Sequence, residues 1–466
     1  MVPRSIRFVW LGLAAAVGGA GGAGAALGPA GAAAQDAPPG SAVFENVTVI
    51  PMDRERVLEG QTVLIEGRRI VAIGPAGEVV VPDGALRIDG RGKYLIPGLA
   101  EMHGHIPSLQ SGMEVIDRVM ILNVANGITT IRGMLGNAYH LELRAEVARG
   151  ERLGPQIFAS SPSLNGNSVP DDETAWRVVT EYRAAGYDLL KIHPGIRREV
   201  FDQIAATARH EGIPFAGHVP AEVGLEHALE SGIATVEHVD GYVEYLASRD
   251  PSTPSQFFGF NLVDRVDPTK IDGIARATRD AGAWVTPTQV LFENRFLGDP
   301  RETAERPEMR FVAESTLQQW VERTLNARSQ LGVTQENAQR FIELRRKIIK
   351  ALHDNGVGLL LGADAPQVFN VPGFATIQEL GAMVAAGLTP YQALEIGTKN
   401  PAIYLGKAGS FGTVEVGKRA DLILLEANPL ESIDNVRRRA GVMVAGRWLS
   451  KEDIERRLDQ LSLRPK

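Results

Sequence analysis

His103 and His105 are separated by a single glycine. In extended chain, residues i and i+2 point to the same side, so both imidazoles can face one ion. Gly104 between them lets the backbone come close to it. A His-x-His pair alone arises often by chance. Downstream, however, Lys191, His218, His238 and Asp364 each end or follow a short apolar run. Each has an ordinary explanation. A strand-end histidine can hold a structural hydrogen bond, a lysine after Leu189-Leu190 can reach past them to water, and Asp364 can cap the next helix. Those explanations leave open why six ligand-type residues share one kind of position. A metal site accounts for all six at once.

Bringing those side chains together requires strands. Eight apolar runs, residues 94–99, 128–132, 156–160, 188–192, 213–217, 234–238, 284–288 and 357–362, alternate with helical patterns such as 201–210 and 224–229. Eight βα units predict an α/β fold, a (β/α)8 TIM barrel over residues 97–404, with its site at the C-terminal ends of the strands. In that frame His103 and His105 follow strand one, Lys191 ends strand four, and His218 follows strand five. His238 ends strand six and Asp364 follows strand eight. Residues 41–96 read as short β-branched strands with a hairpin-type turn at Glu66-Gly67, and residues 421–425 and 441–446 read the same way. Neither end alone can cover both faces of a sheet. Residues 35–96 and 405–450 are therefore expected to pair into one small β-sandwich domain. Residues 451–466 read as a polar tail. The stretch 246–350 is rich in polar, helix-favouring segments such as 336–353, and part of it reads as an insertion around strand seven that roofs the pocket.

The chain has 466 residues, room for one large domain and a smaller one. Its formal charge of −7 offers no attraction to nucleic acid or an anionic membrane. Cysteine is absent, which excludes disulfides, thiolate ligands and a cysteine nucleophile. Residues 1–34 read as a signal peptide. Arg4 and Arg7 precede an apolar stretch from Phe8 to about Val17, and a Gly/Ala-rich run ends in Ala32-Ala33-Ala34 before Gln35. A retained anchor needs about 20 strongly apolar residues, and glycine dilutes this stretch after Val17. Cleavage near Ala34, a periplasmic or secreted location and no stable membrane insertion afterwards are expected. Losing Arg4 and Arg7 with no acid takes the charge from −7 to −9.

Several motifs recur as a series: Pro97-Gly98-Leu99 with Met102-His103-Gly104-His105, Thr129-Thr130-Ile131-Arg132, Gly217-His218, Glu237-His238 and Gly362-Ala363-Asp364. Thr398-Lys399-Asn400-Pro401-Ala402 and the run from Gly412 to Leu422 complete it. Over about residues 41–450 this series resembles the amidohydrolase superfamily. It is most similar to the subgroup of prolidase-like Xaa-Pro dipeptidases and related amidases, including enzymes that open the amide of ochratoxin. The resemblance implies two divalent ions, the first on His103, His105 and Asp364, the second on His218 and His238, with a carboxylated Lys191 bridging them. Neutral lysine cannot bridge two ions, whereas a carbamate formed with CO2 supplies two anionic oxygens. Two ions about 3.5–4 Å apart can share a hydroxide and polarise a scissile carbonyl. Asp364 would take the water's proton and pass it to the leaving amine. Imidazole and carboxylate donors without thiolate favour Zn2+, with Mn2+ or Co2+ as alternatives. The implied substrate is a small amide, a dipeptide or an N-acyl amino acid.

Arg132, His140 and Tyr242 are candidate contacts for a substrate carboxylate, and His193, two residues past Lys191, is a further candidate for the pocket. His210, His227 and His353 fall on helical segments and read as structural or exposed. Gly133 stands where the subgroup often carries Asp, and Ile192-His193-Pro194-Gly195 replaces a different Gly-rich loop. Both departures bear on substrate recognition. One rival reading is a mononuclear deaminase or cyclic-amide hydrolase of the imidazolonepropionase type. Such deaminases need a proton-shuttling Glu soon after the strand-five His, and residue 221 is Ala. A second rival is a non-catalytic exported binding protein on a degenerate barrel, which the presence of all six candidate ligands opposes. A homo-oligomer is compatible with the sequence, and the exact substrate is not legible in it.

Overall fold

The computed structural model describes residues 40–248 and 252–464; the signal-peptide reading of residues 1–34 lies outside the described residues. The barrel strands are β6 (Leu99–Gly104), β7 (Ile128–Gly133), β8 (Gln156–Leu164), β9 (Leu189–Ile192), β10 (Phe215–Gly217), β11 (Thr235–Glu237) and β12 (Trp284–Thr286). The sheet built by the chain ends holds β1 (Ser41–Val49), β2 (Leu58–Glu66), β3 (Arg69–Pro75), β4 (Leu86–Asp89), β5 (Tyr94–Pro97), β13 (Leu422–Leu425), β14 (Arg439–Val444) and β15 (Arg447–Ser450).

β6 to β12 pair in parallel in sequence order, with helices on the outside. Strands covered on both faces need no polar side, and β7 and β9 are buried at every position. The eighth stave is not a regular strand. Residues 357–365 nevertheless close the barrel through backbone bonds on both sides. Val285 N–H donates to Gly358 O (3.0 Å) and Leu360 N–H to Val285 O (3.0 Å). Across the seam, Met102 N–H donates to Leu361 O, Asp364 N–H to His103 O and His105 N–H to Ala365 O, all at 2.8 Å. The apolar run Leu359-Leu360-Leu361 is where the sequence predicts it. Asp364 is left-handed (φ 57) and Pro366 has no N–H, so a regular ladder cannot continue.

The first strand expected at 94–99 is two strands in two sheets. Tyr94–Pro97 pairs with β1 and β13, and the barrel strand starts at Leu99. At the junction, Gly98 N–H donates to Asp421 O in one sheet and Leu99 N–H to Gly127 O beside the other. A Cβ on Gly98 would lie 2.2 Å from Thr129 Oγ1, so only glycine passes here. His103 therefore sits inside β6, and His105 just beyond it.

The two chain ends do combine, as one connected sheet ordered β15-β14-β13-β5-β1-β2-β3. It branches at β1, which pairs with β4 along its first half and β5 along its second. Leu422 and Leu424 pack with Phe44, Val63 and Met443 inside this domain, whereas Ile423 and Leu425 join the barrel's core. Period-two alternation therefore serves two cores, and the strand reads as uninterrupted Leu-Ile-Leu-Leu.

One expectation is corrected. Lys451–Leu461 is not a free polar tail but a helix, capped by the Ser450 hydroxyl and burying Ile454 and Leu458. Its apolar positions, four apart, form one narrow stripe on an otherwise charged segment. The 336–353 segment lies within the helix Gln335–Asp354, which buries Phe341, Ile342, Ile348, Ile349 and Leu352. It is a barrel helix preceding the eighth stave, and the part of the 246–350 stretch that reaches the histidines is 252–266, through Phe258.

Candidate metal centre

His103 on β6, His105 beyond it and Asp364 on the eighth stave meet because the β6 seam pairs their backbones directly. Asp364 Oδ1 lies 2.6 Å from His105 Nε2 and 3.7 Å from His103 Nε2, and its Oδ2 lies 3.9 Å from His238 Nδ1. One ligand atom from each of His103, His105 and Asp364 lies within 4.8 Å of the other two. Lys191, at the end of β9, places Nζ 3.3 Å from His103 Nε2. The rings of His103 and His238 are 4.5 Å apart, those of His238 and His218 4.7 Å, and those of His218 and His193 5.2 Å. All six sequence-predicted ligands thus stand at one end of the barrel. His103, His105 and Asp364 form its tightest group.

Burial keeps the imidazoles in the form that binds metal. Loss of solvent, reinforced by the charge on Lys191, pushes His103 well below its ordinary range. His238 is pushed down by burial and by its neighbour His218. Burial also lowers the Lys191 ammonium to about 8. Neutral imidazoles converging on an anionic oxygen are a donor set suited to a divalent cation.

The rings of His103, His218 and His238 are aimed from behind, whereas the buried His105 Nδ1 has no hydrogen-bond partner. His103 Nδ1 is 2.6 Å from Glu237 Oε2, and the other Glu237 oxygen accepts from Arg132 Nη2 at 2.8 Å. His218 Nδ1 lies 3.1 Å from Asp240 Oδ2, and His238 Nδ1 lies 2.8 Å from Thr288 Oγ1. Arg345, wholly buried, donates to the His238 carbonyl (2.8 Å). Glu101 ties β6 to the eighth stave by accepting from His103 N–H, Ala363 N–H and the Thr376 hydroxyl. Burial raises its carboxyl to about 7. His238, Val239, Thr288 and Asp364 are all left-handed without being glycine. Such strain is tolerated where surrounding bonds over-determine it, and it concentrates at working sites.

Glu237, Asp240, Glu101, Thr288 and Arg345 were not singled out from sequence. An acid inside an apolar strand, as in Thr235-Val236-Glu237, is a signal that finds Glu237. For Arg345, mid-helix in a charged segment, no such signal exists. Among the proposed substrate contacts, three are corrected. Arg132 is 0% exposed, and its donors are taken by Met102 O, Thr235, Tyr404, Glu237 and Thr286, so none is left for a substrate. Tyr242 is fully buried with its hydroxyl 2.8 Å from Thr278 Oγ1. His140 is buried, with Nε2 3.2 Å from Pro107 O and 2.8 Å from the Asn137 amide, bridging the loops after β6 and β7. His193 is the one the fold brings to the centre, its ring against His218 and its buried Nδ1 without a partner.

Residues 94–449, nearly the whole barrel and the returning sheet strands, match the amidohydrolase family. The chain belongs to that family. This amidohydrolase is accordingly a metal-dependent hydrolase acting on carbon–nitrogen bonds. It is 25% identical over 394 residues to the imidazolonepropionase of Rubrobacter xylanophilus, covering 78% of this chain and 84% of that one. It is 28% identical over 242 residues to adenine deaminase 3 of Rhizobium johnstonii, a match spanning 46% of this chain and only 39% of the deaminase. The fold superposes on a Xaa-Pro dipeptidase crystallised with bound methionine, with a TM-score of 0.63 at 20% identity. That likeness covers 88% of this chain and 100% of the dipeptidase.

Proposed function

We propose that this amidohydrolase cleaves the amide bond of a small dipeptide or N-acyl amino acid, using two divalent ions, Zn2+ by preference. The observation that carries this reading is the Asp364 carboxylate, which turns one oxygen to His105 and His103 and the other to His238. A single acid thus lies between the His103–His105 pair and the His238 ring, whose Nδ1 is also held by Thr288. The likeness to a Xaa-Pro dipeptidase supports the substrate class.

His103, His105 and Asp364 would hold one ion and His218 and His238 the other, with Lys191 between them as its carbamate. Such ions supply Lewis acidity at the carbonyl and a water of lowered pKa. Asp364 accepts a proton from that water as its oxygen joins the carbonyl carbon. The same carboxyl returns the proton to nitrogen as the C–N bond breaks, leaving an acid and an amine. Lys191, its ammonium lowered to about 8 by burial, has a share of neutral amine near neutrality, the form that adds CO2. Glu237, Asp240 and Thr288 keep the rings from turning.

A second reading is a mononuclear cyclic-amide hydrolase. It is supported by the match to an imidazolonepropionase over 78% of the chain and by the compactness of the His103–His105–Asp364 group. Reconstituting metal-free enzyme with Zn2+ and bicarbonate separates the two. About two ions per chain together with turnover of a dipeptide or N-acyl amino acid is the expected result. One tightly bound ion in fully active enzyme would replace the first reading with the second. Export is part of the proposal, with a mature N-terminus near Gln35 and a periplasmic or secreted location. N-terminal sequencing from an exporting host tests it, and a protein starting at Met1 in the cytosol refutes it.

A further inference from the structure

The segment 252–266 carries Phe258, backed by its neighbour Phe257, to the metal centre. The half-buried Phe258 ring lies 5.6 Å from the His238 ring and 6.0 Å from that of His218. It is held edge-on by Phe257 (5.3 Å, 79°) and Phe292 (5.1 Å, 85°). Phe257 packs in turn on Phe296 (5.4 Å), and Phe260 stacks on Phe296 at 4.6 Å.

The backbone makes this placement specific. Phe257 (φ 40), Phe258 (φ 57) and Gly259 (φ 77) are three consecutive left-handed residues. Bulky side chains rarely adopt that conformation. Here the surroundings impose it. The Ser255 hydroxyl donates to Glu244 (2.6 Å) and accepts from Gly259 N–H (3.1 Å). The Asn261 side chain accepts from Gln256 N–H (2.8 Å) and donates to Pro254 O (3.1 Å). A Cβ on Gly259 would meet Val243 Cγ1 at 2.5 Å, so this turn requires glycine. A loop serving only to connect two helices needs none of this. Holding an aromatic ring against the reacting centre does.

The same end of the barrel is apolar elsewhere. Leu109 and Leu135, on the loops that leave β6 and β7, are 46% and 38% exposed. Of the charged groups on the Phe257–Phe258 side, Glu244 accepts from Ser255 through one oxygen, Asp240 pairs with His218, and Arg295 and Arg345 lie over the Phe257 and Phe292 rings at 4.1 and 3.4 Å.

We infer that Phe258 is the wall of a specificity pocket, and that the enzyme selects amides whose substituent on the His218–His238 side of the scissile bond is bulky and apolar, aromatic rings above all. This rests on the amide-hydrolase reading above. An apolar substituent leaves water to lie against the ring, whereas a carboxylate or ammonium set against the phenylalanines loses hydration and gains no hydrogen-bond partner from them.

The test uses the metal-loaded full chain and two dipeptide series, Xaa-Gly and Gly-Xaa, with Xaa as Phe, Leu, Ser, Glu or Lys. Both kcat/KM and calorimetric binding are measured for the parent, Phe258→Leu and Phe258→Ser. In one series, Phe and Leu should exceed Ser, Glu and Lys by about 10-fold or more, the scale on which apolar pockets discriminate. Phe258→Ser should collapse that preference to a few-fold through KM, and Phe258→Leu should keep most of it. Equal values across both series in the parent, or a uniform loss for every dipeptide in Phe258→Ser, overturns the inference. If neither these dipeptides nor the N-acetyl derivatives of the same amino acids are cleaved, the amide-hydrolase reading fails on its own. Calorimetry then still judges the pocket, and equal binding of Phe and Glu dipeptides rules it out.

Discussion

His103 Nδ1 and the Glu237 carboxylate lie 2.6 Å apart at the floor of the metal centre, both side chains fully enclosed. An ionised carboxylate only accepts, so Nδ1 carries the proton and Nε2 keeps its lone pair on the side of Asp364 and Lys191. Arg132, bonded to the other Glu237 oxygen, neutralises the charge that this arrangement buries. The chain Arg132–Glu237–His103 thus converts a buried ion pair into a fixed ligand geometry.

Glu237→Gln should weaken metal binding by about 10–100-fold, the usual consequence of losing a partner behind a ligating histidine. It should also destabilise the fold by up to roughly 3–5 kcal/mol, because Arg132 keeps its charge without a counter-ion. Metal titration and denaturant unfolding of one preparation check both. Unchanged metal affinity would show that the His103 tautomer is set elsewhere.

Arg132→Lys separates a structural guanidinium from a substrate contact. A lysine keeps the charge but cannot reach five acceptors in fixed directions. Thermal stability should fall while KM for a cleaved dipeptide stays within a few-fold of the parent. A large rise in KM at unchanged stability would restore the role of substrate anchor.

Asp364→Asn keeps the size and one ligand oxygen but removes the base. Metal content should largely survive while kcat falls by about 10²–10⁴-fold. A capping aspartate would tolerate the change, since asparagine also caps helices well. Metal retained with kcat within a few-fold of the parent would mean that Asp364 moves no proton.

Glu244, half-buried beside the Asp240 charge and bonded to Ser255, is raised from 4.5 to about 7, mainly by loss of solvent around its carboxylate. Between those values the folded chain holds a proton that the unfolded chain has released. Stability therefore declines as pH rises through this window and levels off above it. Glu244→Gln should remove that contribution. Its melting temperature relative to the parent should be higher at pH 8 than at pH 5. Parallel curves across the range would contradict the assignment.

The candidate ligand set was legible because metal chemistry restricts residue type. His103, His105, Lys191, His218, His238 and Asp364 recur after apolar runs, and parallel strands place such positions at one end of a barrel. Boundaries were less legible wherever an apolar run served two sheets. Tyr94–Pro97 and Leu99–Gly104 read as one stretch, since both are covered on both faces, and only pairing separates them across Gly98. The irregular eighth stave was likewise hidden, because its apolar composition reads as strand while Asp364 and Pro366 prevent a continuous ladder.

Substrate contacts failed for a related reason. Arg132 and Tyr242 carry polar groups that suit a ligand, and the same groups satisfy buried partners 103 and 36 residues away in the chain. Sequence spacing contains no information about which of the two occurs. By itself, the sequence determined the alternation of elements, the two-ended sheet and the kind of atom available for metal, all of which follow from local pattern and side-chain chemistry. Tertiary structure alone decided which acid aims each histidine, which polar residues are consumed inside the barrel, and that Phe258 stands over His218 and His238. Those relations depend on the closure of a ring of strands, which joins residues far apart in sequence at distances of a few ångströms.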